Sequence, residues 1–175
     1  MKFVVSAALS SCLLLSVPAF SQHKKAAHKQ AAPMSDQEFV DFAAQTDMTE
    51  AHLGQLAADK AQSQAVKDYA QMLVTDHTND YNQLTAVATK ANLNVPKGLD
   101  AKHDKMIAPF EKLKGAAFDR TFAHEMVSGH EAAIATYDKQ SHDGQNADLK
   151  SYANQDLATL EKHKNSAQDL LKKPK

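Results

Sequence analysis

The sequence predicts an all-α fold, an antiparallel four-helix bundle in which a long crossover joins the second helix to the third. Composition is one indication, since the 175 residues include only five glycines, five prolines and no tryptophan, a balance typical of helical proteins. A second indication is that apolar residues recur with a helical period over four long segments. The third is the interruption between the middle two segments, which carries Pro96, Gly98 and Pro109.

The N-terminal segment predicts export from the cytoplasm. Lys2 is followed by an apolar run over residues 3–17 and by the small residues Ala19 and Ser21, which is the order found in secretory signal peptides. The run is shorter than a membrane span requires. Residues 1–21 are therefore expected to be a signal peptide cleaved after Ser21, which makes the protein periplasmic or exported.

Cys12 leaves an alternative open. Residues 9–12 read Leu-Ser-Ser-Cys, which resembles a lipoprotein cleavage site and would anchor the protein through a lipidated Cys12. This alternative ranks second, because leucines 13–15 continue the apolar core of the signal peptide beyond the cysteine. If cleavage follows Ser21, the mature chain has no cysteine, and it therefore has neither a disulfide nor a thiolate ligand.

Residues 22–34 are expected to form a flexible basic tether, and residues 35–172 the helical domain. The tether contains His23 and His28, which its composition predicts to be solvated. The first helix, A, begins with a capping box, because Ser35 precedes Glu38 by three positions.

The remaining helices follow from turn residues and apolar periodicity. Helix B is predicted to begin near Ser63, and helices C and D to span about residues 116–141 and 146–172. The crossover from Asn92 to Lys114 contains a short amphipathic helix, which Pro109 is expected to bend or restart. A crossover of this length lets helix C run parallel to helix B.

Four polar residues continue the apolar stripes of the four long helices. The nonamers at residues 69–77 and 122–130 both begin with an aromatic residue and end with a histidine, His77 or His130. Glu50 on helix A and His163 on helix D fall in register in the same way. At about 1.5 Å per residue, all four lie roughly 21–25 Å along helices of about 40 Å. They are therefore expected to meet at one level of the core.

One carboxylate and three imidazoles from four helices predict a site for one transition-metal ion, Zn, Fe, Mn or Cu. The adjacent carboxylates Asp76 and Glu131 are expected to be further ligands or to orient the rings. The alternative is a metal-free network in which Glu50 accepts protons from the histidines and fixes helix register. If the histidines are buried and neutral, acid below about pH 6 should charge them and destabilise the fold.

The charge balance gives little reason to expect a nucleic-acid partner. The formal net charge is −1, whereas a nucleic-acid-binding protein would carry a concentrated basic face. The mature chain is also expected to have no membrane span. The partners left open are an envelope protein and a second copy of the chain.

Four ordered motifs resemble one known family. They read M-T-E-A-H-L-G-Q-L-A, V-K-D-Y-A-Q-M-L-V-T-D-H, G-A-A-F-D-R-T-F and L-A-T-L-E-K-H. In this order after a signal peptide, they are similar to the bacterial exported family called "domain of unknown function 4142", over about residues 36–171. The resemblance implies a ferritin-like fold without a settled biochemical role. The family motifs carry over onto Glu50, His77, Phe118, Asp119, Arg120, His130 and His163.

The histidine surroundings argue against di-iron chemistry. Di-iron ferritin-like enzymes place a Glu-x-x-His pair on each of two helices, but Val74, Val127 and Leu160 occupy the positions three residues before the histidines. In the F-D-R motif, Asp119 suits the helix dipole and Arg120 is expected to pair with a carboxylate across the bundle.

These patterns favour a non-enzymatic exported bundle that binds one metal ion and serves envelope metal handling or stress tolerance. Two alternatives stay open. One is a metal-dependent enzyme that uses the same four residues with an open coordination position. The other is a metal-free structural or interaction module of the envelope, in which the polar residues only hold helix register.

Overall fold

The computed structural model describes residues 34–172, and the predicted signal peptide and nearly all of the tether lie outside them. The described part is all-helical. Its helices are α1 (Asp36–Lys60), α2 (Gln64–Lys90), α3 (Ala101–Lys112), α4 (Gly115–Asp143) and α5 (Ala147–Lys172). None of these helices is long and apolar enough to cross a membrane.

The start of α1 confirms the predicted capping box. The Ser35 hydroxyl accepts a hydrogen bond from the backbone N–H of Glu38, and the Glu38 carboxylate accepts one from the backbone N–H of Ser35 at 2.7 Å. Two N–H groups that the first helical turn leaves without helical partners are thereby satisfied. The local sequence alone therefore fixes where this helix begins.

Short loops pair the long helices, and hydrogen bonds between elements set their directions. Residues 61–63 join α1 to α2 and residues 144–146 join α4 to α5, which makes each pair antiparallel. Asp36 at the start of α1 accepts from the Gln140 side chain near the end of α4 at 2.8 Å. Just after α1, the backbone N–H of Gln62 donates to Asp119 near the start of α4 at 2.9 Å. Helix α1 is therefore antiparallel to α4, and α2 runs parallel to α4.

The crossover contains the predicted short helix, α3, which continues through Pro109. Asp100 caps this helix by accepting from the backbone N–H groups of Lys102 and His103, both at 2.9 Å. Pro109 neither ends nor restarts the helix, which continues to Lys112. Ile107 and Phe110 are buried against the bundle, and this packing offsets the backbone hydrogen bond that proline cannot donate.

The two matched nonamers contact each other along α2 and α4. The rings of Tyr69 and Phe122, the aromatic residues that begin them, pack edge to face with centroids 6.1 Å apart. The rings of His77 and His130, which end them, have centroids 5.8 Å apart. The equal spacing in the sequence thus brings equivalent residues to equal depth in two parallel helices.

The apolar core consists of two clusters separated by a polar layer. One cluster includes Leu53 and Met126, and the other includes Ala43 and Ala133. Glu50 lies between the two clusters on α1, and His130 lies between them on α4. The four long helices therefore contribute apolar residues on both sides of the polar layer, and this layer contains the candidate site.

Candidate metal centre

Three histidines from three helices converge in the polar layer. His77 of α2, His130 of α4 and His163 of α5 are 3%, 0% and 1% exposed. One ring nitrogen of each lies within 4.8 Å of the others, and their ring centroids are 5.2–5.8 Å apart. The apolar stripes of the helices place them there, because each histidine occupies a position that would otherwise carry a core side chain.

Glu50 of α1 adds a carboxylate to this group. Its Oε2 atom lies 3.0 Å from Nε2 of His77 and 3.2 Å from Nε2 of His130. Burial by itself would raise the pKa of Glu50, but electrostatic interactions with His130 and His77 outweigh it and lower that pKa. Glu50 is therefore ionised at neutral pH, although it lies in the core.

Each histidine uses its other ring nitrogen to contact a protein oxygen. His77 Nδ1 lies 2.9 Å from Asp47 Oδ1, His130 Nδ1 donates to the backbone carbonyl of Met126 at 2.7 Å, and His163 Nε2 lies 2.9 Å from Asp76 Oδ2. An oxygen acceptor at one nitrogen puts the proton there and, in a neutral ring, leaves a lone pair on the other. These contacts therefore orient the rings so that the other nitrogen of each turns toward the other two histidines.

The remaining site atoms are buried and make no hydrogen bond within residues 34–172. They are His77 Nε2, His130 Nε2, His163 Nδ1 and Glu50 Oε2. The contacts of Glu50 with the two histidines are within ion-pair distance, but their geometry does not align a hydrogen bond. Buried polar atoms without a partner are costly. When the rings are deprotonated, three nitrogens and one oxygen in one small volume are suited to binding a cation.

The histidines differ in charge. Burial disfavours the charged form of His77, yet Glu50 and Asp47 outweigh it and raise the pKa of His77 well above its usual value. Burial lowers the pKa of His163 to about 4, despite the opposing effect of Asp76. The acid sensitivity expected of buried neutral histidines therefore does not apply to His77, because two buried carboxylates face its ring.

A further layer of carboxylates extends from Asp47 toward the surface. Burial raises the pKa values of Asp47, Asp80 and Asp156, that of Asp156 to about 7. The hydroxyl of Tyr152 donates to Asp80 Oδ2 at 2.7 Å. Burial is the largest cause for all three, and the negative charge of Asp80 raises the pKa values of Asp47 and Asp156 further.

The structure brings together most, but not all, of the residues that the sequence predicts for the site. Glu50, His77, His130 and His163 lie together, and Asp76 orients His163. Glu131 is exposed and makes no hydrogen bond or ion pair within the described chain, so the structure does not support its expected role at the site. One position along a helix turns a side chain by about 100°, and this turns Glu131 away from the core where His130 lies.

Asp47 is the site residue that the sequence analysis missed. It precedes Glu50 by three positions and therefore lies on the same face of α1, which was the available signal. It is 2% exposed, so it needs a partner in the core, and His77 supplies one.

Asp119 of the F-D-R motif has a structural role. Its carboxylate accepts hydrogen bonds from the backbone N–H groups of Gln62 and Ser63, at 2.9 and 2.8 Å. Arg120 is exposed and has no ion pair within residues 34–172, so the expected contact with a carboxylate across the bundle is absent. The motif therefore holds the α1–α2 loop against α4.

The comparisons with solved structures find two similar helical proteins. One is CopM in the Cu(II)-bound form, with a TM-score of 0.65 and 15% identity over 79% of this chain and 96% of that chain. The other is the DUF305 protein from Streptomyces coelicolor, with a TM-score of 0.61 and 14% identity over 80% of this chain and 94% of that chain. At these identities the likeness shows the fold alone.

The sequence comparisons give the family. No curated protein matches the chain. The model of one family matches residues 21–170, a range that includes Glu50 and all three site histidines. The chain therefore belongs to the family described as "Domain of unknown function (DUF4142)".

Proposed function

We propose that this domain binds one transition-metal ion through His77, His130 and His163, with Glu50 as the fourth ligand. The observation that carries the proposal is that the two nitrogens of each imidazole have different surroundings. One nitrogen contacts a protein oxygen, while the other is buried, faces its counterparts and makes no hydrogen bond within the described chain. A structural network would be expected to use both nitrogens, because an unsatisfied buried group costs about 1–3 kcal/mol.

The geometry also suits coordination. In a tetrahedral site with bonds of about 2.0 Å, neighbouring ligand atoms lie roughly 3.3 Å apart, and Glu50 Oε2 is 3.0 and 3.2 Å from the two imidazole nitrogens. The carboxylates that contact His77 and His163 would raise the basicity of these rings as ligands. The set of three nitrogens and one oxygen fits Zn, Fe, Mn or Cu. Copper is the first ion to test, since CopM, a structural neighbour, is described in a Cu(II)-bound form.

The biological role proposed is metal handling or stress tolerance in the envelope by an exported, ferritin-like bundle. The signal-peptide pattern of residues 1–21 supports export. The parallel relation of α2 and α4 through the crossover supports the ferritin-like connectivity. Because the ligands are at most 5% exposed, binding or storage is favoured over catalysis, which needs a coordination position open to substrate.

Metal analysis of untagged protein tests the proposal. We expect about one equivalent of Cu(II) or Zn(II) to bind and to raise the melting temperature. Binding should be lost in His130→Ala and in His163→Ala, whereas His142→Ala, an exposed position on α4, should bind like the wild type. Folded protein that takes up none of Zn, Cu, Fe and Mn would instead support the metal-free structural module.

A further inference from the structure

Glu50 is the most exposed of the four proposed ligands. Its side chain is 5% exposed, compared with 3% for His77, 1% for His163 and 0% for His130. The Oε2 atom that faces the histidines is itself buried, so the exposure belongs to other atoms of the Glu50 side chain. A solute that approaches the site from outside along this side chain would reach Glu50 before it reaches any imidazole.

Gly129 of α4 faces the other oxygen of Glu50. A Cβ atom built on Gly129 would lie 3.4 Å from Glu50 Oε1, and Gly129 is half-buried. Any side chain at this position would therefore cover Oε1. Glycine in a helix interior costs about 1 kcal/mol relative to alanine, so the missing side chain calls for a reason other than helix formation.

Glu125 stands one turn before Gly129 on the same face of α4. It is also half-buried. Burial, and after it the negative charge of Glu50, raise the pKa of Glu125, so the two carboxylates interact electrostatically. Two carboxylates, Glu50 and Glu125, thus lie near Gly129, a position that has no side chain to cover Glu50 Oε1.

We propose that the seam between α1 and α4 at Gly129 is the route by which a divalent cation reaches the histidines. Glu125 binds the hydrated ion first, and Glu50 Oε1 receives it before the imidazole nitrogens displace its water. This inference rests on the proposed metal binding and adds its access route. A negatively charged approach raises the association rate of a cation, by about tenfold or more in favourable cases.

The rate of ion uptake tests the route separately from the site. The purified protein is mixed with Cu(II) in a stopped-flow instrument, and uptake is followed by quenching of tyrosine fluorescence, since the chain has no tryptophan. We expect Gly129→Val to slow association about tenfold or more and Glu125→Gln to slow it by a similar order. Ser128→Ala, an exposed neighbour, is the matched control and should keep the wild-type rate.

The equilibrium affinity for Cu(II) distinguishes an access route from an effect of Gly129 on the packing around Glu50. An obstructed route slows uptake and release alike, so the dissociation constant for Cu(II) in Gly129→Val should stay near the wild-type value while chelator-driven release slows. Unchanged rates in Gly129→Val and Glu125→Gln would overturn the route and leave the site intact. A loss of affinity that accounts for the whole rate change would also overturn it, and would show that Gly129 only makes room for Glu50. A folded wild type that binds no ion would overturn both proposals.

Discussion

Nδ1 of His77 lies 2.9 Å from Oδ1 of Asp47, and the two side chains are 3% and 2% exposed. The carboxylate therefore fixes the ring so that Nε2 turns toward Glu50 and the other histidines. Asp47 would not bind the ion itself, and its effect would act entirely through the orientation and basicity of His77.

Replacement of Asp47 should weaken metal binding without removing a ligand. In Asp47→Ala, the dissociation constant for Cu(II) or Zn(II) should rise about 10–100-fold, and Asp47→Asn, which keeps an oxygen acceptor, should fall between this variant and the wild type. Isothermal titration with a competing chelator measures both. Asp59→Ala, at an exposed position on α1, should bind like the wild type. Full affinity in Asp47→Ala would contradict the orienting role.

His163 should make the metal-free fold sensitive to acid. Its pKa is about 4 in the folded protein against 6.5 for the ordinary side chain, so the unfolded chain binds the extra proton between these values. The contribution of His163 to the free energy of unfolding should be constant above pH 6.5 and fall by about 3 kcal/mol as the pH falls toward 4. Chemical denaturation at a series of pH values, in the presence of a chelator, measures this free energy.

The matched variant for this test is His163→Gln, which cannot gain that proton. The acid-dependent loss between pH 6.5 and 4 should shrink in this variant, and an unchanged loss would show that other groups cause it. His77 contributes in the opposite direction, since its pKa is raised in the fold. The stability that it adds is complete below pH 6.5 and is lost as the pH rises through its folded pKa.

Asp119 should matter for stability and not for metal binding. Asp119→Ala leaves the backbone N–H groups of Gln62 and Ser63 without their acceptor, which should cost about 1–3 kcal/mol. Arg120→Ala changes the next residue, which is exposed, and should alter stability by no more than about 0.5 kcal/mol. Thermal melting compares the two. Equal losses would mean that the motif acts through its arginine as well.

Gly54 should be required for the close packing of α1 on α2. An added Cβ would lie 2.7 Å from Val74 Cγ2 and 2.8 Å from the backbone oxygen of Ala70, so Gly54→Ala should destabilise the protein by about 1–3 kcal/mol. Gly98→Ala is the control, because a Cβ there meets no atom within 4 Å. Urea denaturation of the two variants measures the difference, and a neutral Gly54→Ala would contradict this packing.

The sequence predicts what depends on neighbours along the chain. The capping box at Ser35 and Glu38 is formed within one helical turn, so its residues suffice to identify it. The polar positions Glu50, His77, His130 and His163 interrupt apolar stripes, and helical rise fixes how far along each helix they lie. Local geometry therefore determined the helices, and it indicated which polar residues share one level.

Only the tertiary structure decided which groups contact these four polar side chains. Asp76 adjoins His77 in the sequence but contacts His163 on another helix, while His77 contacts Asp47. These pairings depend on how each helix is rotated about its axis, and a single position corresponds to about 100° of rotation. The same rotations put two carboxylates beside His77 and one beside His163, which is why burial dominates the pKa of one histidine and charge that of the other. Periodicity sets the height of a side chain, whereas packing between helices sets its direction, its partners and its charge.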